Sequence, residues 1–305
     1  MNLVRRVIAF APAKVNLYLH VVGRRADGYH LLDSLVAFAD IGDRITAAPA
    51  DALSLTVGGA EAGALAGLGD DNLVLRAARL LAAEAGGLRG AALHLDKTLP
   101  AASGIGGGSS DAAATLRALD RLWSHPPIAA ARVMAIALRL GADVPACFAA
   151  CPVWVGGVGE DLEPVPDLPP AGIVLANPRR ALPTASVFGH RRGRFTASGR
   201  FAAMPPDAAS LAAMLASRRN DLAEAALMLV PEIAAVLDRL SGLPGALLAR
   251  MSGSGATCFA LFPDRAAAQR GAAILAQSEP GWWSAGGALM KQAPPLEDCA
   301  TQPAG

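Results

Sequence analysis

Apolar and polar residues alternate with two different periods along this chain, and the points where the period changes outline its elements. Val15 to Val22 alternate as a strand, and Gly28 and then Gly42-Asp43 mark turns, so the first forty residues read as a meander of strands. "DNLVLRAARLLAAEAG" (71–86) sets Leu73, Ala77, Leu80, Leu81 and Glu84 at helical spacing, and Gly86-Gly87 ends the run. "AALHLDKTL" returns to strand alternation and leads into "LPAASGIGGGSSDAAATL" (99–116), a glycine loop ahead of a helical stripe of Leu116, Leu119, Leu122 and Trp123. "AAARVMAIALRL" repeats the helical pattern up to Gly141, and Pro145 in "GADVPACF" suits the first turn of another helix.

Near 156–170 the pattern gives way to Gly and Pro, which predicts a boundary between two units, residues 1–163 and 164–292. In the second unit "GIVLANP" predicts a strand, 207–241 helices broken at Pro231, "ALLARM" and "TCFALF" a hairpin pair, "DRAAAQRGAAILAQ" a helix and "GGALMK" a last strand. That order is a split βαβ layout with extra helices. Residues 293–305 carry no periodicity and read as a flexible tail.

Composition narrows the class. Of 305 residues 53% are hydrophobic and 17% charged, which favours a packed core over disorder. The 27 basic residues against 26 acidic ones leave no excess to neutralise a nucleic-acid backbone, so a small-molecule partner is expected. Cys147, Cys151, Cys258 and Cys299 lack the paired spacing of a zinc site and read as reduced thiols of a cytoplasmic protein. "MNLVRRVIAFAPA" imitates a signal peptide, but its apolar core "VIAF" is too short. No apolar run reaches the length of a membrane span. Monomer and homodimer both remain open.

The glycine loop has the makings of a phosphate site. A P-loop needs a Lys after its glycines, and none follows; the dinucleotide fingerprint fails because Ser109 or Asp111 stands where its last glycine belongs. Gly104, Gly106, Gly107 and Gly108 can still turn backbone N–H groups inward ahead of a helix, with Ser109 or Ser110 adding a hydroxyl. A flexible linker ending in a Ser cap is the plainer alternative.

"PAASGIGGGSSDAA" resembles the second motif of the GHMP small-molecule kinases, whose ATP loop reads P-x-x-x-G-[LI]-G-[GS]-[GS]-S. "APAKVNLYLHVVGRRADGYHLLDSL" resembles, within that superfamily, the branch acting on cytidylylated methylerythritol in non-mevalonate isoprenoid synthesis, and "RADGYH" (25–30) is the diagnostic stretch. "DDNLV", "GADVPACF", "GVGE" and "MSGSGATCFALF" follow in that branch's order. One departure is Ala101-Ala102-Ser103 where the branch often has Met-Gly-Gly or Val-Ala-Ala.

The resemblance implies an α+β protein with the two-domain GHMP kinase fold: an N-terminal ribosomal-protein-S5-domain-2-like domain that binds ATP and a C-terminal ferredoxin-like domain. It implies transfer of the γ-phosphate of ATP, with Mg2+, to the 2-hydroxyl of 4-diphosphocytidyl-2-C-methyl-D-erythritol; it names no metal ligands. Asp143 would be the base and Lys14 the stabiliser of developing charge. Seen alone, Lys14 reads as a solvated lysine and Asp143 as a helix cap. The ATP side would comprise Pro100, Ala101, Ala102, Ser103, Gly104, Ile105, Gly106, Gly107, Gly108, Ser109 and Ser110, flanked by Asn72 and Lys97. Tyr29 and His30 would meet the cytosine, with Phe188 as the other half of an aromatic clamp and Thr184 and Asn16 as polar contacts. The glycines of "SGSGAT" (252–257) would let the second unit approach the phosphate loop. The basic loop "HRRGRFTASGR" reads as solvated, with steering of an anionic substrate as the sharper alternative. Another GHMP kinase, and a silent nucleotide-binding protein on this scaffold, are the competing readings.

Overall fold

The computed structural model describes residues 4–67, 69–87, 89–123, 128–165 and 167–301. Its frame is a long antiparallel hairpin of β1 (Val4–Arg24) and β2 (His30–Pro49), closed by a turn that holds Gly28 at positive φ. Gly42-Asp43, expected at a turn, lies inside β2. Two extra residues of β2 are accommodated where Pro12 pairs Gly42 but Ala13 pairs Ala39, so the pair of residues marks a bulge in one continuous strand.

β3 (Leu53–Gly58), α1 (Leu73–Glu84) and β4 (Ala91–Asp96) follow, with β3 parallel to β4 and β4 antiparallel to β2. α2 (Gly107–Trp123), α3 (Ala130–Leu140) and α4 (Val144–Ala149) complete a helical layer over one face. Its core joins Val7, Phe38, Ile45 and Leu95 of the strands to Leu81, Leu116 and Ile136 of the helices. β5 (Val153–Gly156) pairs the opposite half of β2, and β6 (Asp161–Pro164) folds back on β5 within the Gly/Pro-rich stretch.

β7 (Gly172–Asn177), α5 (Thr184–His190), α6 (Ala208–Ala216), α7 (Ala223–Leu229) and α8 (Glu232–Ser241) come next. β8 (Leu248–Met251), β9 (Cys258–Phe262), α9 (Arg265–Ser278) and β10 (Trp283–Met290) follow them. These strands pair antiparallel in the order β10-β7-β9-β8, and β10 also meets β2 at Leu289–Ala39, so one mixed sheet runs through the molecule. Pro231 separates α7 from α8, as a residue without an N–H must. Residues 293–301, within the stretch expected as a flexible tail, instead contribute β11 (Glu297–Thr301) to the open edge of β1. Asp298 fastens it by accepting hydrogen bonds from Arg5 at 3.2 Å and Arg121 at 2.7 Å. Such a pairing needs no internal periodicity.

Among the described residues no helix is long and apolar enough to cross a membrane, and all four cysteines are free thiols.

Candidate active site

The glycine loop is anchored at both ends of its turn. Lys14 N–H donates to the Ile105 carbonyl, Ile105 is fully buried, and Ser103 Oγ donates to the Pro100 carbonyl at 2.6 Å. Gly104 takes φ +76 and its missing Cβ would lie 2.5 Å from the Gly255 carbonyl oxygen; Gly106 takes φ +64 with Lys14 Cβ 3.1 Å from the same kind of vacancy. Only glycine fits either place. The loop between β8 and β9 therefore lies directly on the glycine loop, with Thr257 N–H donating to the Ser103 carbonyl and Ser252 Oγ to that of Gly104.

Helix α2 begins at Gly107, earlier than its apolar stripe predicts. Its first intrahelical bond runs from Ser110 N–H to the Gly106 carbonyl, which leaves the N–H groups of Gly107, Gly108 and Ser109 free of helix partners and at the positive end of the dipole. Ser110 itself is buried and donates its hydroxyl to the Pro12 carbonyl at 2.6 Å, a structural bond to β1.

Lys14 and Asp143 meet beside this helix end. Lys14 Nζ donates to Asp143 Oδ1 at 2.6 Å, although the residues are 129 apart in sequence. The lysine side chain is 7% exposed and the aspartate 47%, so the carboxylate faces the open side. Asp143 holds the position ahead of α4 without capping it through its side chain, and Pro145 occupies the first turn.

A single cavity of about 1010 Å³ collects these groups together with Ala102, Ser103, Gly104, Gly106 and Ser109 on one side and Asn16, Tyr29, His30, Thr184 and Phe188 on the other. His30 and Phe188 stack, ring centroids 5.2 Å apart and planes 25° off parallel. Tyr29 stands 64% exposed at the hairpin tip. Burial, then the neighbouring Arg24 and Arg191, lowers the His30 pKa, which keeps the ring neutral with one donor and one acceptor nitrogen. Thr184 Oγ1 and Ser254 Oγ lie 2.9 Å apart. Asn16 donates Nδ2 to Ser34 Oγ at 2.8 Å and its backbone N–H to Ser252 Oγ; its Oδ1 is buried with no partner, an acceptor held ready for a donor in the cavity.

The chain matches the model of the GHMP kinases N terminal domain over residues 72–150 and that of the GHMP kinases C terminal over 203–280. A 4-diphosphocytidyl-2-C-methyl-D-erythritol kinase of Paramagnetospirillum magneticum is 52% identical over 280 residues, 92% of this chain and 97% of that one. This chain belongs to the 4-diphosphocytidyl-2-C-methyl-D-erythritol kinase family. The family's Rhodospirillum rubrum kinase is 51% identical over 93% of both chains. A crystal structure of a 4-(cytidine 5'-diphospho)-2C-methyl-D-erythritol kinase superposes with TM-score 0.76 at 36% identity, covering 92% of this chain and 98% of that one. A homoserine kinase from Cytophaga hutchinsonii shares the fold, with TM-score 0.69 at 18% identity over 96% and 97% of the two chains.

In this member of the kinase family several residues expected beside ATP are not among those that line the cavity. Pro100, Ala101, Ile105 and Ser110 do not line the cavity. Asn72 caps α1, its Oδ1 accepting from Val74 N–H at 2.9 Å. Lys97 is buried under α2, where Nζ donates to Asp43 Oδ2 at 2.5 Å and Asp111 Oδ2 at 2.8 Å. Asp43 Oδ1 accepts from the N–H groups of Thr98 and Leu99 as well, so the triad ties the bulge of β2, the strand end before the loop and the first turns of α2 together. Burial, and then Asp43, pushes the Asp111 pKa up to about 7 against the pull of Lys97. Burial would lower the Lys97 pKa, but Asp111 and Asp43 together raise it.

Sequence reasoning named neither Arg24 nor Asn220, and it took Arg191 and Arg192 only as part of a basic loop. Arg24, Arg191 and Arg192 line the cavity, the last two from the loop read as solvated. Asn220 fixes the β8–β9 loop by donating Nδ2 to the Met251 and Gly253 carbonyls; an Asn just ahead of a helix was its only signal.

Proposed function

We propose that this kinase transfers the γ-phosphoryl group of ATP to the 2-hydroxyl of 4-diphosphocytidyl-2-C-methyl-D-erythritol. The observation that carries this reading is the position of the Lys14–Asp143 pair, in one cavity between a helix end lined by glycine N–H groups and a His30–Phe188 stack. In it the unit 1–163 supplies the phosphate loop and catalytic pair, and 164–292 closes the cavity with Thr184, Phe188 and Ser254.

The loop N–H groups and helix dipole hold the ATP phosphates. The acceptor's hydroxyl oxygen attacks the γ-phosphorus, the bond from phosphorus to the β–γ bridging oxygen breaks, ADP leaves, and the hydroxyl proton goes to Asp143. Lys14, in contact with that carboxylate, offsets negative charge developing on the oxygens. Phosphoryl transfer asks mainly for alignment and charge stabilisation, and alignment alone is worth roughly 7–11 kcal/mol. Asn16 Oδ1 accepts from a hydroxyl of the acceptor, and Tyr29, His30 and Phe188 together receive the cytosine. Mg2+ enters with ATP as part of that substrate. Among the described residues no group of three or more His, Cys, Asp or Glu is placed to hold a metal ion, so no protein cage is assigned to it.

ADP release measured with the cytidylyl ester, mevalonate, homoserine and galactose tests the assignment. Turnover with the cytidylyl ester alone is expected. Comparable turnover with mevalonate or homoserine would overturn it in favour of another GHMP kinase.

A further inference from the structure

The cavity contains two acids and four cations, and they are not evenly matched. Asp27 is paired with Arg25 at 2.6 Å and Asp143 with Lys14. Among the described residues no carboxylate lies within ion-pair reach of Arg24, Arg191 or Arg192. All three belong to the nucleoside end: Arg24 precedes the hairpin tip that bears Tyr29 and His30, and Arg191 and Arg192 follow the helix that bears Phe188. The glycine loop, which lines the same cavity, has no arginine of its own.

Backbone carbonyls hold each guanidinium by one edge. Arg24 Nε donates to Gly28 at 3.0 Å, Arg191 to Gly193 and Arg194 at 3.2 and 2.6 Å, and Arg192 to Gly189 and Arg191 at 2.9 and 3.0 Å. The Arg191 group also lies 5.2 Å from the Phe195 ring centre, and its Nε is buried without a partner. Arg24 and Arg191 line the cavity together with His30 and Phe188 and, after burial, help to lower the His30 pKa.

Preorganised guanidiniums without carboxylates suit an oxyanion with several phosphoryl oxygens, since each planar fork can bond two of them. ATP's phosphates are met by the loop. The second anion is the diphosphate that joins the nucleoside to the acceptor alcohol. We infer that Arg24, Arg191 and Arg192 form a second anion subsite, which binds the diphosphate bridge of the nucleotide-ester substrate and selects it over a neutral nucleoside or alcohol. This inference rests on the proposed substrate and adds to it the groups that read its charge.

The test compares cytidine with CDP as inhibitors competing with the ester at saturating ATP, in wild type and in the Arg24→Gln and Arg191→Gln/Arg192→Gln variants. Wild type should bind CDP more tightly than cytidine. In the variants that preference should fall about tenfold or more while the cytidine constant holds, because the aromatic contacts remain. KM for the ester should rise by a similar factor and KM for ATP should not move. A preference for CDP that survives both variants, or an equal rise in KM for ATP, would overturn the subsite. Wild type that turns over no ester and binds neither cytidine nor CDP would instead refute the proposed substrate, and this inference with it. Melting curves distinguish lost binding from lost fold, and exposed Arg24 and Arg192 predict little change.

Discussion

Two lysines flank the phosphate loop, and their surroundings give them opposite tasks. Lys14, behind the loop, touches one carboxylate that is half open to the cavity; Lys97, under the helix, is shared by two carboxylates with side-chain exposures of 0% and 3%. The first pair has a free face for a substrate oxygen. The second has none, and its charges are directed at the frame. Burying charges is costly, so the triad adds less net stability than its short contacts suggest, yet breaking it leaves uncompensated charge inside. Residue type therefore does not separate the lysine proposed for catalysis from the structural one; the exposure of its acid does.

Substitutions at the two lysines should separate these tasks. Lys97→Met should lower unfolding free energy by about 3–5 kcal/mol, read from urea midpoints, because Asp43 and Asp111 lose their shared cation. Lys14→Met should move the midpoint far less and lower turnover instead, by roughly 10²-fold or more. If Lys97→Met left the midpoint unchanged, or Lys14→Met unfolded the protein, the contrast would be wrong.

Acidity sharpens it further. Asp111 binds its proton more tightly when folded, near pH 7, than at the unfolded value of 3.8. The native state thus holds more protons than the unfolded state across that window, and this residue's contribution to stability falls as pH rises from about 4 to 7. Asp111→Asn should flatten that part of the pH dependence and leave the variant no less stable than wild type at pH 8. An unchanged pH profile of the urea midpoint would show that the shared ammonium already satisfies both acids.

The smallest expected effect is in the loop itself. Ala102 sits at φ +48, where a side chain is disfavoured by about 1 kcal/mol or more. Ala102→Gly should raise the midpoint slightly at most, since the gain is offset by the greater freedom of glycine in the unfolded chain. A clear loss would mean that the methyl group supports the loop.

Local signals were readable in advance and long-range ones were not. The glycine run at 104–108 announced a backbone cradle, with Gly104 and Gly106 in conformations that disfavour other residues, and the hairpin at 248–262 followed from alternation. Ser110 looked like a phosphate ligand because it follows glycines, but the helix starts at Gly107 and turns its hydroxyl toward Pro12. Gly42-Asp43 looked like a turn because the signature of a bulge is the same pair of residues. The Asp43–Lys97–Asp111 triad unites three separate segments, and nothing in any one of them shows that the others will arrive. Arginines at 191 and 192 read as solvated for the same reason: their partner is a cavity that exists only after α5 packs across the hairpin tip.

Asp143→Asn tests the central claim most directly, through single-turnover phosphoryl transfer and ATP binding measured on the same sample. The amide keeps the shape and the contact with Lys14 but cannot take the hydroxyl proton. A fall in the transfer rate of roughly 10²–10⁴-fold is expected, with ATP affinity within a few-fold of wild type. Transfer at the wild-type rate, or a loss of ATP binding equal to the loss of rate, would contradict the assignment of chemistry to the Lys14–Asp143 pair and of phosphate holding to the loop.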